Sequence, residues 1–160
     1  MKDTLNIKFR EYHTVKDDKS IQYRLSKMSI DDFTCIPEVY SDSFNDKPWK
    51  SDWYNIPEFD IDSNWIVKID DFIVGFLISF LSKEIPYISV VAVRKSSQGL
   101  GIASKLIEEC ISYWKLKKFN EVRIHVDHDR KKTRNLYEKL SFKVIKEREE
   151  DAYMCFKWKI

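Results

Sequence analysis

The chain has 160 residues, 43% hydrophobic and 34% charged, a length that supports one domain around a single core. Its net charge of +2 gives no electrostatic basis for nucleic-acid binding, and no apolar run approaches the ~18 residues a membrane span needs. The near-neutral total conceals two opposed segments. Residues 29–63 carry nine acidic residues against two lysines, a balance of −7, while residues 94–160 carry seventeen basic against ten acidic, a balance of +7. Cys35, Cys110 and Cys155 are widely spaced and odd in number. That pattern speaks against a zinc site or disulfide framework and for a reducing compartment. The basic N-terminus has no apolar h-region behind it, so a cytoplasmic location is expected.

In chain order, residues 1–20 are polar and of mixed sign, and read as an N-terminal arm or short edge strand ahead of a domain over 21–160. A weak alternation over 23–28 predicts the first strand. Ser29 then makes an N-cap, with Asp31 and Asp32 suiting the positive end of a helix that runs to Phe44. Pro37 must start a new turn in it or kink it. Residues 45–62 read as loop. Two β-rich runs, 65–69 and 72–80, flank Asp70-Asp71 and spell a hairpin, and 87–93 is a further strand. Beyond it the period changes to 3.6: Ile102, Leu106, Cys110 and Trp114 lie four apart, with Ile107 and Ile111 beside them. A strand over 121–126, a helix over 131–140 and closing strands over 142–146 and 152–158 complete a mixed α/β sheet of about six to seven strands, with helices on both faces.

The chemistry concentrates where strand 87–93 feeds through a loop into the helix. Gln98-Gly99-Leu100-Gly101-Ile102-Ala103 puts two glycines at a helix start, where the backbone can approach a ligand and the first-turn N–H groups point outward toward an anion. A Walker A loop would need Lys-Ser/Thr after its second glycine, and a Rossmann loop a third glycine and an acidic strand end; neither is present. The pattern here is Gln-x-x-Gly-x-Ala, preceded by Val91-Ala92-Val93.

That combination resembles the acetyl-CoA loop of the GNAT acetyltransferases. A second run, Leu136-Tyr137-Glu138-Lys139-Leu140-Ser141-Phe142, is similar to another signature of the family, and together they cover about residues 23–160. The resemblance implies a GNAT fold and transfer of an acetyl group from acetyl-CoA to a primary amine. It implies that main-chain groups of Val91, Ala92 and Val93 pair with the pantetheine arm and that N–H groups over 98–103 hold the pyrophosphate. Tyr137 would protonate the departing thiolate, as suits a hydroxyl of pKa near 10. Arg130 and Thr133 stand where many relatives carry asparagine and alanine, and Arg130 could grip a cofactor phosphate. The family's usual strand glutamate is replaced by His125 on strand 121–126.

The inward residues of that strand are Val122, Ile124 and Val126. His125 therefore faces the other way, either into a cleft as base or water relay, or as a packed or solvated histidine. For the acceptor side, the acidic, aromatic segment offers Asp52, Trp53, Tyr54 and Glu58, which suit a small cationic amine through charge and cation–π contact. A protein N-terminus or lysine is the alternative acceptor, and a non-catalytic acyl-CoA-binding module the alternative of another class. No metal, nucleic-acid or membrane partner is expected; a second copy of the chain is a candidate partner.

Overall fold

The computed structural model describes residues 9–49 and 59–158. Eight strands form one sheet in the order β1-β2-β3-β4-β5-β6-β8-β7: β1 (Phe9–Lys16), β2 (Lys19–Lys27), β3 (Asn64–Ile69), β4 (Phe72–Ser82), β5 (Ile85–Val93), β6 (Glu121–Asp127), β7 (Lys143–Glu147) and β8 (Asp151–Lys157). The count exceeds the six to seven expected because β1 pairs along its whole length with β2. Its exposed face hides the alternation that would mark it in the sequence. Every adjacent pair is antiparallel except β5 with β6.

The first three hairpins turn on two residues each, Asp17-Asp18, Asp70-Asp71 and Lys83-Glu84, all with positive φ. This is the turn whose twist matches that of the flanking strands. With only three glycines in the chain, aspartate takes two of these turns, since its short polar side chain tolerates the left-handed region.

Helix α1 (Ile36–Ser43) lies on one face of the sheet; α2 (Ile102–Leu116) and α3 (Lys131–Lys139) lie on the other. The single helix expected from Ser29 to Phe44 is divided. A 3-10 turn over Ile30–Thr34, closed by the Asp32 carboxylate accepting from the Ser29 N–H at 2.7 Å, precedes α1. Pro37 then occupies the first turn of the new helix, where its missing N–H costs nothing. The larger core packs Trp65, Leu77, Ile88, Val122 and Ile124 beneath the α2 stripe of Ile102, Leu106, Ile107 and Cys110. The smaller joins Ile36 and Val39 of α1 to Ile66, Phe76 and Ile78. No helix among the described residues is long and apolar enough to cross a membrane.

Gly75 of β4 sets how closely α2 approaches. A Cβ there would stand 3.1 Å from the Ile102 Cγ2 and 3.1 Å from the Ala92 oxygen. A buried polar knot holds the far end of the same helix. The Trp114 Nε1–H donates to Ser79 Oγ at 3.1 Å, the Ser79 hydroxyl donates to the Ser63 carbonyl at 2.5 Å, and the Ser79 N–H donates to Asn64 Oδ1 at 2.9 Å. Ser63, Asn64 and Ser79 are all fully buried. Removing one hydroxyl from such a knot strands its partners without water. Ser79→Ala should therefore destabilise the protein by about 1–3 kcal/mol, seen as a lower midpoint in chemical denaturation at unchanged slope.

Candidate active site

Strands β5 and β6 are paired only at Tyr87↔Arg123 and Ile88↔Ile124. One residue later the β4–β5 register slips, Ile78 facing Val90 while Ser79 faces Ile88, so Ser89 is the extra residue of a bulge. A bulge bends its strand, and β5 turns away from β6, which stays paired with β8 as far as Asp127. The two strands thus open into a cavity of about 650 Å³. Its walls include Ser89, Val91 and Val93 from β5, and Ile124, His125 and Asp127 from β6. Arg130, Thr133, Leu136 and Tyr137 contribute from α3, and Tyr40, Ser43 and Phe44 from the end of α1.

The loop closes one end. Gly99 and Gly101 have φ of +84° and +81°, and Gly101 is the N-cap of α2. Only glycine takes this conformation without a Cβ penalty. The main-chain N–H groups of residues 99–104 meet no acceptor among the described residues, so the loop offers a row of donors at the positive end of a fifteen-residue helix. Such a set fits a diphosphate. The loop is braced from behind: the Gln98 Nε2–H donates to the Val93 carbonyl at 3.1 Å, the Tyr23 hydroxyl to the Leu100 carbonyl at 3.4 Å, and the Arg94 N–H to the Val74 carbonyl at 2.7 Å. The side chains of Ala92 and Leu100 are buried in the two cores, and neither residue lines the cavity. Gln98, Gly99, Gly101, Ile102 and Ala103 line the cavity.

Tyr137 is 5% exposed and lines the cavity. Its hydroxyl has no hydrogen-bond partner among the described residues. Burial drives its pKa well above the ordinary phenol value, with Arg130 opposing the rise. Among the sequence candidates, His125 reaches the same cavity, on β6 between the buried Ile124 and Val126. Its Nδ1 lies 2.5 Å from the Tyr87 hydroxyl; the two rings are parallel within 3°, and Tyr153 of β8 flanks the imidazole. Burial, reinforced by Tyr153 and Asp151, keeps the Tyr87 phenol neutral well past its usual range.

Sequence reasoning did not find Tyr87. Its partnership depends on the parallel register of β5 and β6, which no local pattern encodes. Nor did it find that a His125 ring nitrogen and the carboxylates of Asp127 and Asp151 lie within 4.8 Å of one another, Asp151 being also paired with Arg148 at 2.8 Å. Arg130 lines the cavity; its guanidinium stacks on the Phe44 ring at 4.1 Å and lies 3.9 Å from the Asp127 carboxylate. Trp49 packs against Tyr40 and Phe76. Asp52, Trp53, Tyr54 and Glu58 lie outside the described residues.

No curated protein matches the chain in sequence. Among solved structures, the ribosomal-protein-S18-alanine N-acetyltransferase of Escherichia coli superposes with a TM-score of 0.73 at 16% identity, over 84% of this chain and 93% of that one. PaiA N-acetyltransferase of Thermoplasma acidophilum, in complex with coenzyme A, gives 0.70 at 19% identity over 85% and 99%. Arabidopsis thaliana Naa50, in complex with the bisubstrate analogue CoA-Ac-MVNAL, gives 0.70 at 17% identity over 85% and 99%. At these identities the likeness is one of fold. The model of the acetyltransferase (GNAT) family matches residues 25–142, and the chain belongs to that family of acetyl-CoA-dependent acyltransferases.

Proposed function

We propose that this protein transfers an acetyl group from acetyl-CoA to a cationic primary amine by direct attack in a ternary complex, with Tyr137 as general acid and His125 as base. The observation that carries the reading is the shared cavity: an unpartnered Tyr137 hydroxyl and the His125 imidazole line the same 650 Å³ space as the loop's free N–H groups.

An amine of pKa near 10 arrives as an ammonium ion. Asp127 and Asp151 beside His125 favour it electrostatically. With Nδ1–H donated to the Tyr87 oxygen, His125 keeps a lone pair on Nε2 and takes one ammonium proton. The neutral amine then forms a C–N bond to the thioester carbonyl, a main-chain N–H on the free edge of β5 stabilising the oxyanion. As the C–S bond breaks, Tyr137 gives its proton to sulfur. The acylated nitrogen gives up its second proton, which offsets the one Tyr137 lost, and His125 releases the first to solvent; the products are an amide, CoA thiol and one proton.

Acetyl-CoA or CoA should raise the melting temperature of the protein, because binding only the native state stabilises it. Gly101→Glu places a side chain in left-handed backbone and a negative charge among the phosphate donors, so it should abolish that rise. Equal shifts in both proteins would move the phosphate site elsewhere.

Tyr137→Phe should lower kcat by about 10²–10⁴-fold with acetyl-CoA affinity largely retained, measured by thiol release with a panel of amines. The raised phenol pKa has a definite sign: the proton stays available below the ordinary value of about 10. Activity should therefore show no alkaline fall below about pH 10. A fall centred well below that value, or an unchanged rate in the variant, would remove Tyr137 from the proton-transfer step.

Asp127→Asn should raise KM for the acceptor more than for acetyl-CoA, and the difference should shrink as salt screens the charge. Preference in the amine panel for peptide α-amines would assign the acceptor to protein N-termini; preference for neutral amines would overturn the cationic reading.

A further inference from the structure

Period-2 alternation along β1 turns Tyr12, Thr14 and Lys16 toward α2, and these three are its half-buried residues. The first packs against Tyr23 and receives the Lys105 ammonium over its ring. The last ends the strand beside the glycine loop. Its Nζ donates to the Gln98 carbonyl at 2.7 Å and stands 3.9 Å from the point where a Cβ on Gly99 would lie. An ammonium has three donors. One is spent on Gln98, and Lys16 forms no ion pair among the described residues. With glycine at position 99, no side chain stands between this charge and the loop surface.

Lys47 and Lys132 also line the cavity; the other cations nearby are committed. Arg130 stacks on Phe44, Arg134 is shared between Glu138 and Glu147, and Lys105 faces Glu108. The loop's own donors are uncharged amides. A diphosphate seated on them carries negative charge that neutral donors satisfy only in part, and hydrogen bonds between ionised groups are the stronger kind.

We infer that Lys16, which lies outside the segment matched by the family model, is a cofactor-contacting residue that supplies the positive charge for the diphosphate of acetyl-CoA. This rests on the reading of the loop as the acetyl-CoA site. It gives the β1–β2 hairpin a part in the donor site: the turn that carries Lys16 is the hairpin's end, and the hairpin is anchored to α2 by the Arg10–Glu109 ion pair at 3.0 Å.

The test compares acetyl-CoA with S-acetylpantetheine, which has the same thioester and no diphosphate. Lys16→Met keeps most of the apolar stem and removes the charge; Lys16→Arg keeps the charge. Lys16→Met should weaken acetyl-CoA binding about tenfold, the worth of one charge-assisted hydrogen bond, and flatten its dependence on salt. It should leave KM for S-acetylpantetheine unchanged, and Lys16→Arg should recover most of the acetyl-CoA affinity. Equal losses for both donors, or a loss that Lys16→Arg does not recover at unchanged melting temperature, would make Lys16 a brace for the loop and overturn the inference. Unaltered acetyl-CoA binding in Lys16→Met would also overturn it. Absence of acetyl-CoA binding by the wild-type protein would fell the loop reading itself, an outcome distinct from the other two.

Discussion

Two register pairs hold β5 to β6, and the rest of the site follows from their being only two. Each strand keeps its other neighbour: β5 stays on β4 through Val93, and β6 stays on β8 through Asp127. Neither can swing to close the gap without losing a ladder on its far side. The divergence is therefore imposed by the sheet and leaves main-chain donors and acceptors of β5 facing space. Buried backbone groups require partners, and here a ligand that lies along the strand as another strand would can supply them. Because the bulge at Ser89 starts the divergence, the position of one extra residue decides where the cavity begins, and places Tyr87 just before it and Val91 just after.

The loop at the other end is held by contacts from several elements at once. Arg94 is fixed to β4 by main chain and side chain, its N–H on the Val74 carbonyl and its Nε–H on the Ile73 carbonyl. From the opposite face of the sheet, α1 contributes Asp42 to the Lys95 N–H and Ser43 to the Val93 N–H. A row of amides held in this way loses little entropy when an anion settles on it. The same links tie α1 to the end of β5, so two walls of the cavity are referred to one piece of backbone.

Much of this was legible in the sequence. The period of α2 shows because its stripe of Ile102, Leu106, Cys110 and Trp114 packs against a flat apolar sheet, and the glycines at its start are conspicuous in a chain with only three. The Asp70-Asp71 hairpin shows because short polar residues between β-rich runs leave few alternatives. What stayed hidden depends on distance along the chain. Tyr87 and His125 meet only through the parallel register of strands separated by a loop and α2. Arg130 stacks on Phe44, a residue in the first third of the chain, and no local pattern signals that the ring is there. Residues 1–20 read only as an arm or short edge strand because the outer face of β1 is solvated, and Lys16 reads as one more surface lysine until the strand's direction aims it at Gln98.

Gly75 touches no part of the cavity, yet the missing side chain there acts as a spacer of zero thickness between β4 and the first turn of α2. Ile102 sits where even a methyl group would crowd it. The height of the anion loop above the sheet is thus gauged by an absence. A single carbon added at this position would have to lift the helix start away from Val91 and Val93, lengthening the span between the loop's free N–H groups and the open edge of β5. The ruler that sets the length of the cavity lies under the helix, on a strand that does not line it.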